Sequence, residues 1–268
     1  MLIAGIILGV LILLYILCLR GRRKNPDLEA LRGWSYAHRG LHKEGVPENS
    51  MAAFRLAVAK GYGIELDLHL LADGNVAVIH DSSLLRTTGQ EGIIEDLSLK
   101  DLYKYPLEGT KETIPTLREV LQMCKGRVPL ILEMKTHLGN THKLCDAAFA
   151  LLDEYEGDFC VESFDPMCVF WLKRRRPGVV RGQLTANYMR NKKLKSRVAR
   201  WIATCNLSNW LTTPDFVAYE FEGRKTLSNF LTRHLWGVQG VSWTLKTQEE
   251  HDKAVSEGWI PIFEGYEP

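Results

Sequence analysis

The sequence predicts an α/β protein: a (β/α)8 barrel over residues 34–268, with one apolar helix before it. Three observations predict this. Eight short β-rich runs alternate with seven helical stretches, the pattern of a barrel lacking most of its last helix. Polar residues capable of chemistry collect at the C-terminal ends of those runs, where such barrels place their sites. The rival, an open doubly wound sheet, carries a Gly-rich G-x-G-x-x-G turn after its first strand, and His38-Arg39-Gly40 is not one. Composition agrees: 268 residues, 46% hydrophobic, 25% charged and six cysteines exclude collagen-like, disordered and disulfide-scaffold classes.

The N-terminal element is Leu2–Leu19, eighteen residues without a charged side chain, followed at once by Arg20, Arg22, Arg23 and Lys24. As a helix it would be roughly 27 Å long, about the thickness of a bilayer's hydrocarbon core. A cleaved signal peptide needs its basic residues before the apolar run and a small-residue cleavage site after it; this order is reversed. Residues 1–19 are therefore expected to be a transmembrane anchor and 20–33 a basic juxtamembrane linker. By the charge asymmetry, the protein is expected at the cell membrane, single-pass, with residues 34–268 in the cytoplasm. Without those four basic residues the chain has 30 Lys+Arg against 32 Asp+Glu, which argues against a nucleic-acid partner. An odd number of cysteines beyond the anchor, with no C-x-x-C pair, reads as reduced thiols.

The barrel strands are expected at Ser35–His38, Gly63–Leu68, Pro129–Lys135, Phe159–Phe164, Val179–Leu184, Asp215–Glu220, Gly240–Leu245 and Ile260–Glu264. The helices are expected at Asn49–Lys60, Leu117–Lys125, Thr141–Glu156, Pro166–Arg176, Lys192–Trp210, Thr226–Leu235 and Thr247–Glu257. On the second strand Glu65 and Asp67 share a face while Ile64, Leu66 and Leu68 take the other. Glu133 and Lys135 repeat that parity on the third. Carboxylates inside a barrel are costly unless a positive charge joins them. Glu65, Asp67 and Glu133 would suit one hard divalent cation, Mg²⁺ or Ca²⁺; the plainer reading is an ion-pair ring with Lys135 and Arg39. His38 ends the first strand, and His80 ends a short β-run after an Asp73-Gly74 hairpin turn. Asp81 is a candidate to orient a histidine, and His69 has the parity to support the site from behind. Two histidines with three carboxylates, Arg39 and Lys135 favour phosphate-ester hydrolysis, with a cation polarising the phosphoryl oxygens and the histidines exchanging protons.

Ala37-His-Arg-Gly40, Pro47-Glu-Asn-Ser-Met-Ala-Ala-Phe54, Glu65-Leu-Asp67, Asp73-Gly74 and His80-Asp81 together resemble the signature of the glycerophosphodiester phosphodiesterase family, in its membrane-anchored, bacterial form. Leu85-Arg-Thr-Thr-Gly89, Ile114-Pro-Thr-Leu117, Leu132-Glu-Met-Lys135, Ser163-Phe164 and Trp243-Thr244 extend the likeness, in order, from Tyr36 to Thr244. The resemblance implies a TIM barrel that hydrolyses glycerophosphodiesters to glycerol 3-phosphate and an alcohol. It also implies a metal at Glu65, Asp67 and Glu133, His38 and His80 as the acid–base pair, phosphate contacts from Arg39 and Lys135, and Trp243 against the glycerol. The stretch from about Leu84 to Thr116 corresponds to a small insertion over the mouth after the second strand. The chain departs from the family at its end: Ile262-Phe-Glu-Gly-Tyr-Glu-Pro268 stands where Thr-Asp-x-Pro and a last helix are usual. That leaves the role of Glu264 open and a seam for Leu28–Trp34 or the membrane to cover.

The segment 189–210 combines Arg190, Lys192, Lys193, Lys195, Arg197 and Arg200 with an apolar helical face of Val198, Trp201, Ile202 and Cys205. It reads either as a barrel helix with that face packed inward or as a surface lying on anionic lipid. Two alternatives to the expected activity remain: a lysophospholipase D acting on lysophospholipids, and a non-catalytic, membrane-tethered lipid-binding barrel.

Overall fold

Eight parallel strands close into a barrel in the computed structural model, which describes residues 1–22, 25–192 and 194–268. Arg23 and Lys24 of the basic linker and Lys193 of the basic segment lie outside those residues. The strands are β1 (Tyr36–Ala37), β2 (Gly63–Leu70), β4 (Leu130–Met134), β5 (Phe159–Ser163), β6 (Val180–Thr185), β7 (Phe216–Glu220), β8 (Gln239–Leu245) and β9 (Trp259–Phe263). Each pairs in parallel with the next, and β1 closes the ring by pairing with both β2 and β9. A short β3 (Val76–Val78) folds back antiparallel on β2, the hairpin that Asp73-Gly74 announces. All eight expected barrel strands are found.

Outside the ring lie α2 (Met51–Lys60), α4 (Leu117–Cys124), α5 (Thr141–Leu152), α6 (Pro166–Arg175), α10 (Leu227–His234) and α11 (Gln248–Ser256), with α3 (Leu85–Thr88) in the excursion after β3. Their starts are legible as caps: Ser50, Thr116, Asp165, Thr226 and Thr247 each accept a backbone N–H of the first turn. Of the helix expected over Lys192–Trp210, α8 (Arg197–Thr204) and the start of α9 (Asn209–Thr212) form, with a further short helix, α7 (Tyr188–Asn191), just before that range. Lys192 and Asn206 adopt positive φ, at 56° each, and break the run.

Two cores follow from strand parity. Ile64, Leu66 and Leu68 pack outward with Phe54, Leu117, Phe149 and Trp171 of the helices. Ile131, Cys160, Val180, Phe216, Val241 and Ile262 fill the interior. The segment before β1, one of the two covers considered for the seam, turns inward: a 3₁₀ turn (Pro26–Leu31) sends Leu28 and Leu31 into the interior core. The tail after β9 takes the seam, with Tyr266 edge-on to Phe263 of β9 at 5.6 Å and the Tyr62 hydroxyl donating to the Pro268 carbonyl. The insertion at residues 84–116 has its own small core of Leu84, Ile94, Leu102, Leu107 and Ile114.

The N-terminal expectation needs correction. Among the described residues no helix is long and apolar enough to cross a membrane. The first helix, α1 (Leu2–Cys18), has 17 residues, or about 26 Å of helix against about 30 Å of hydrocarbon. Its end lies against the barrel. The Trp236 indole donates to the Ile16 carbonyl at 2.9 Å, Leu19 is fully buried, and a Cβ on Gly21 would clash with Val238 and the Pro214 carbonyl. Its earlier side chains, Leu2 to Leu14, are largely exposed.

Candidate active site

The acidic residues meet because of register. Asp67 on β2 lies opposite Glu133 on β4, and Glu133 lies opposite Glu162 on β5. Neighbouring strands are about 4.8 Å apart, so inward side chains on partnered positions crowd one another. Glu65, Asp67 and Glu133 each bring a carboxylate oxygen within 4.8 Å of the others, and all three are buried.

The loop after β1 turns sharply to serve them. Arg39 has φ 55° and Gly40 φ 77°. A Cβ on Gly40 would come within 2.9 Å of both the Ala53 Cβ and a Phe54 ring carbon, so only glycine fits there. The turn aims the Arg39 backbone N–H at Glu65 Oε2, 3.0 Å away, and its side chain at Asp67, Nε to Oδ2 3.5 Å. Asn49, also at positive φ, donates to Asp67 Oδ2 at 2.8 Å. Lys135 reaches Glu133 at 2.8 Å and Asp67 at 3.1 Å.

These neighbours divide the carboxylates electrostatically. Burial pulls all of them toward the neutral form. For Asp67 that pull is outweighed by Lys135, then His80 and Arg39, which hold it well below the usual carboxylate range. Glu65 lacks such compensation: burial, with Asp67 and Glu133 beside it, raises it far above that range. Glu133 is pushed up to about 7 by burial, against the opposing pull of Lys135. A buried all-oxygen cluster in which Asp67 is charged while Glu65 and Glu133 resist ionisation without a further cation fits a hard divalent cation, and Glu65, Asp67 and Glu133 are the residues that would hold it.

Both histidines are held from behind. His80 Nδ1 lies 2.6 Å from Asp81 Oδ1, Asp81 Oδ2 accepts from Arg86, and Arg86 and Arg39 both bond to the Glu48 carboxylate. His38 Nδ1 lies 3.1 Å from Glu264 Oε2, and its Nε2 is 3.9 Å from Glu65. Burial lowers His38, opposed by its bond to Glu264. Burial takes His80 down to about 4, with Asp67 opposing and Lys135 and Arg39 adding to the fall. His38, Arg39, Glu65, His80, Glu133, Lys135 and Trp243 line one cleft of about 590 Å³, with Asp67 beneath them. Trp243 packs edge-on to Phe164, with ring centroids 5.8 Å apart. Every site residue expected from the sequence is thus brought to this end of the barrel.

His69 is buried behind the site, between Glu95 at 2.6 Å and the His80 carbonyl at 3.1 Å. Four residues were missed. Glu162 faces the cleft from β5 and was findable by parity with Cys160. Tyr188 lines the cleft from α7. Asn49 and Glu48 lie in a loop, where no periodicity marks them. Glu264, left open by the sequence, is the partner of His38.

A family model described as the Glycerophosphoryl diester phosphodiesterase family matches residues 38–263. A glycerophosphodiester phosphodiesterase of Bacillus altitudinis is 39% identical over 107 residues, 37% of this chain and 43% of that protein. One from Caldanaerobacter subterraneus is 34% identical over 158 residues, 55% of this chain and 65% of that protein. The chain thus matches about half the length of these curated relatives. A phosphodiesterase of Oleispira antarctica, solved with its product sn-glycerol-3-phosphate, shares the fold at TM-score 0.71 and 22% identity, over 86% of this chain and 92% of that one. With the family match running from the first histidine to the last strand, the chain belongs to the glycerophosphoryl diester phosphodiesterase family.

Proposed function

We propose that the protein hydrolyses glycerophosphodiesters to glycerol 3-phosphate and an alcohol, in a reaction that depends on a divalent cation, Mg²⁺ or Ca²⁺. The observation that carries this reading is the pairing of two carboxylate-held histidines with a buried triad, Glu65, Asp67 and Glu133, in one cleft. When bound, the cation supplies Lewis-acid polarisation of the phosphoryl oxygens. Arg39 and Lys135 bring positive charge to the same phosphate and balance what builds up as the P–O bond breaks. His38 and His80 present Nε2 to the cleft, because Nδ1 is held by Glu264 and Asp81. One takes the proton from the attacking oxygen; the other returns one to the departing alkoxide. Trp243, held at right angles to Phe164, offers an apolar wall to the glycerol carbons.

The reading is tested by hydrolysis of glycerophosphocholine with and without EDTA, alongside His38→Ala and Glu65→Ala. Metal-dependent turnover that falls in both variants supports it. An inactive wild type with metal added, or variants indistinguishable from wild type, overturns it and leaves a non-catalytic lipid-binding barrel. A lysophospholipase D activity is favoured by one observation, the apolar lining that Leu184, Ala186, Leu194 and Ile262 add to the cleft. Turnover of lysophosphatidylcholine but not of glycerophosphocholine would replace the first reading with that one.

For location, we propose the cytoplasmic face of the cell membrane: the support is the exposed, uncharged α1 with Arg20 and Arg22 after it, apolar and basic groups that suit a bilayer surface. Cell fractionation, with protease access from the two sides, is the corresponding test.

A further inference from the structure

The excursion between β6 and β7 reverses the ordinary packing of a barrel helix. Val198, Trp201 and Ile202 form the apolar face of α8, yet they are 66%, 49% and 38% exposed. The barrel-helix reading, with this face inward, does not hold. Trp210 of α9 and Leu227 and Phe230 of the neighbouring α10 are exposed as well, at 58% or more. Asn206, just after α8, bonds to Asn229 of α10 at 2.6 Å and holds the two together.

Charge singles out the same region. Residues 166–214 contain no Asp or Glu and eleven Lys or Arg, leaving the rest of the chain at net −9. Arg176 and Arg190 are paired to Asp153 and Glu222, whereas Lys192, Lys195 and Arg197 stand exposed around α8. On its other side, the excursion lines the catalytic cleft with Tyr188, Asn191 and Leu194. One segment is therefore both a wall of the cleft and an apolar, cationic outer surface.

We propose that this outer face, from Met189 to Trp210, docks on an anionic lipid bilayer. Exposed indoles beside aliphatic side chains and flanking Lys/Arg are the composition of an interfacial helix. Cations without carboxylates complement a negatively charged leaflet. A protein partner suits the face less, because lysine is depleted at protein interfaces. Nucleic acid suits it less because Val198 and Ile202 would be left against phosphate. Docking places the cleft beside lipid headgroups, so its substrates would include lipid-borne phosphodiesters; that last step rests on the activity proposed above.

The test uses the full chain and sedimented vesicles of phosphatidylcholine, with or without one-quarter phosphatidylglycerol. Because α1 carries no charged side chain, it contributes alike to both, and the readout is the ratio of the two affinities. Each basic residue at an anionic surface contributes about fivefold, so Lys195→Ser/Arg197→Ser is expected to lower that ratio about 25-fold. Brominated lipid is expected to quench the fluorescence that Trp201→Phe removes. Val198→Ser/Trp201→Ser should weaken binding to both vesicles. All these variants should keep the wild-type circular dichroism and the wild-type turnover of water-soluble glycerophosphocholine. An unchanged ratio, or no quenching of Trp201, overturns the proposal. So does equal affinity for a DNA duplex, or a dimer that Val198→Ser/Trp201→Ser dissociates. If the wild type has no phosphodiesterase activity, the vesicle result still stands alone, so the two readings fail separately.

Discussion

His38 Nδ1 lies 3.1 Å from Glu264 Oε2, a contact between residues 226 positions apart that closes the site where β9 meets β1. Lys246 and His42 share the same carboxylate. The bond to His38 is the main influence holding Glu264 below its usual range. An imidazole oriented in this way keeps one tautomer and one ring plane. Glu264→Ala is expected to lower kcat by roughly 10²-fold with little change in KM, and Glu264→Gln by less, because its amide oxygen can still accept. Steady-state kinetics separates this from general damage, which would move KM and stability too.

Metal binding should depend on pH with a defined sign. Glu133 sits at about 7 in the metal-free protein, and Glu65 is raised as well. A cation must displace those protons. Below about pH 7 affinity should therefore rise by about tenfold per pH unit for each proton released. Titration calorimetry in two buffers of different ionisation enthalpy reads the proton count directly; a count of zero at pH 6 would contradict the assignment.

Arg86 ties the support of one histidine to that of the other strand end, bonding Asp81 and both oxygens of Glu48. Its side chain is half exposed, so solvent screens much of the interaction. Arg86→Ala is expected to cost about 1 kcal/mol and lower Tm by about 2–4 °C. The larger effect should be on kcat, since Asp81 is then free to leave His80.

Gly40→Ala should destabilise by more than about 2 kcal/mol, combining a positive φ with a clash at 2.9 Å. Gly45→Ala, at a similar φ but in open space, should cost about 1 kcal/mol. Urea denaturation of both gives the comparison, and equal costs would show that the Ala53–Phe54 contact is not what requires glycine.

How much was legible follows the range of the interaction. Alternation of β-rich and helical runs located all eight barrel strands, and parity put Glu65, Asp67, Glu133 and Lys135 on the inner face. Parity also holds Glu162, which it could have found. Glu48 and Asn49 stood in the Pro47–Phe54 motif, but their roles stayed hidden because a loop residue's direction depends on backbone turns that composition does not encode. Glu264 was visible as a strand-end acid, but its partner was not.

The sequence by itself determined the barrel, the identity of its acidic cluster and the stretch of apolar residues at the N-terminus. These depend on local periodicity, on burial and on the chemistry of side chains. Tertiary structure alone decided where apolar faces point. The face of α8 turned outward, although its pattern is that of a core helix, because periodicity defines a face but not what lies opposite it. The end of the N-terminal helix lies on the barrel, where Trp236 bonds the Ile16 carbonyl and Leu19 is buried. His38 met Glu264 only because closing the barrel brings its last strand against its first.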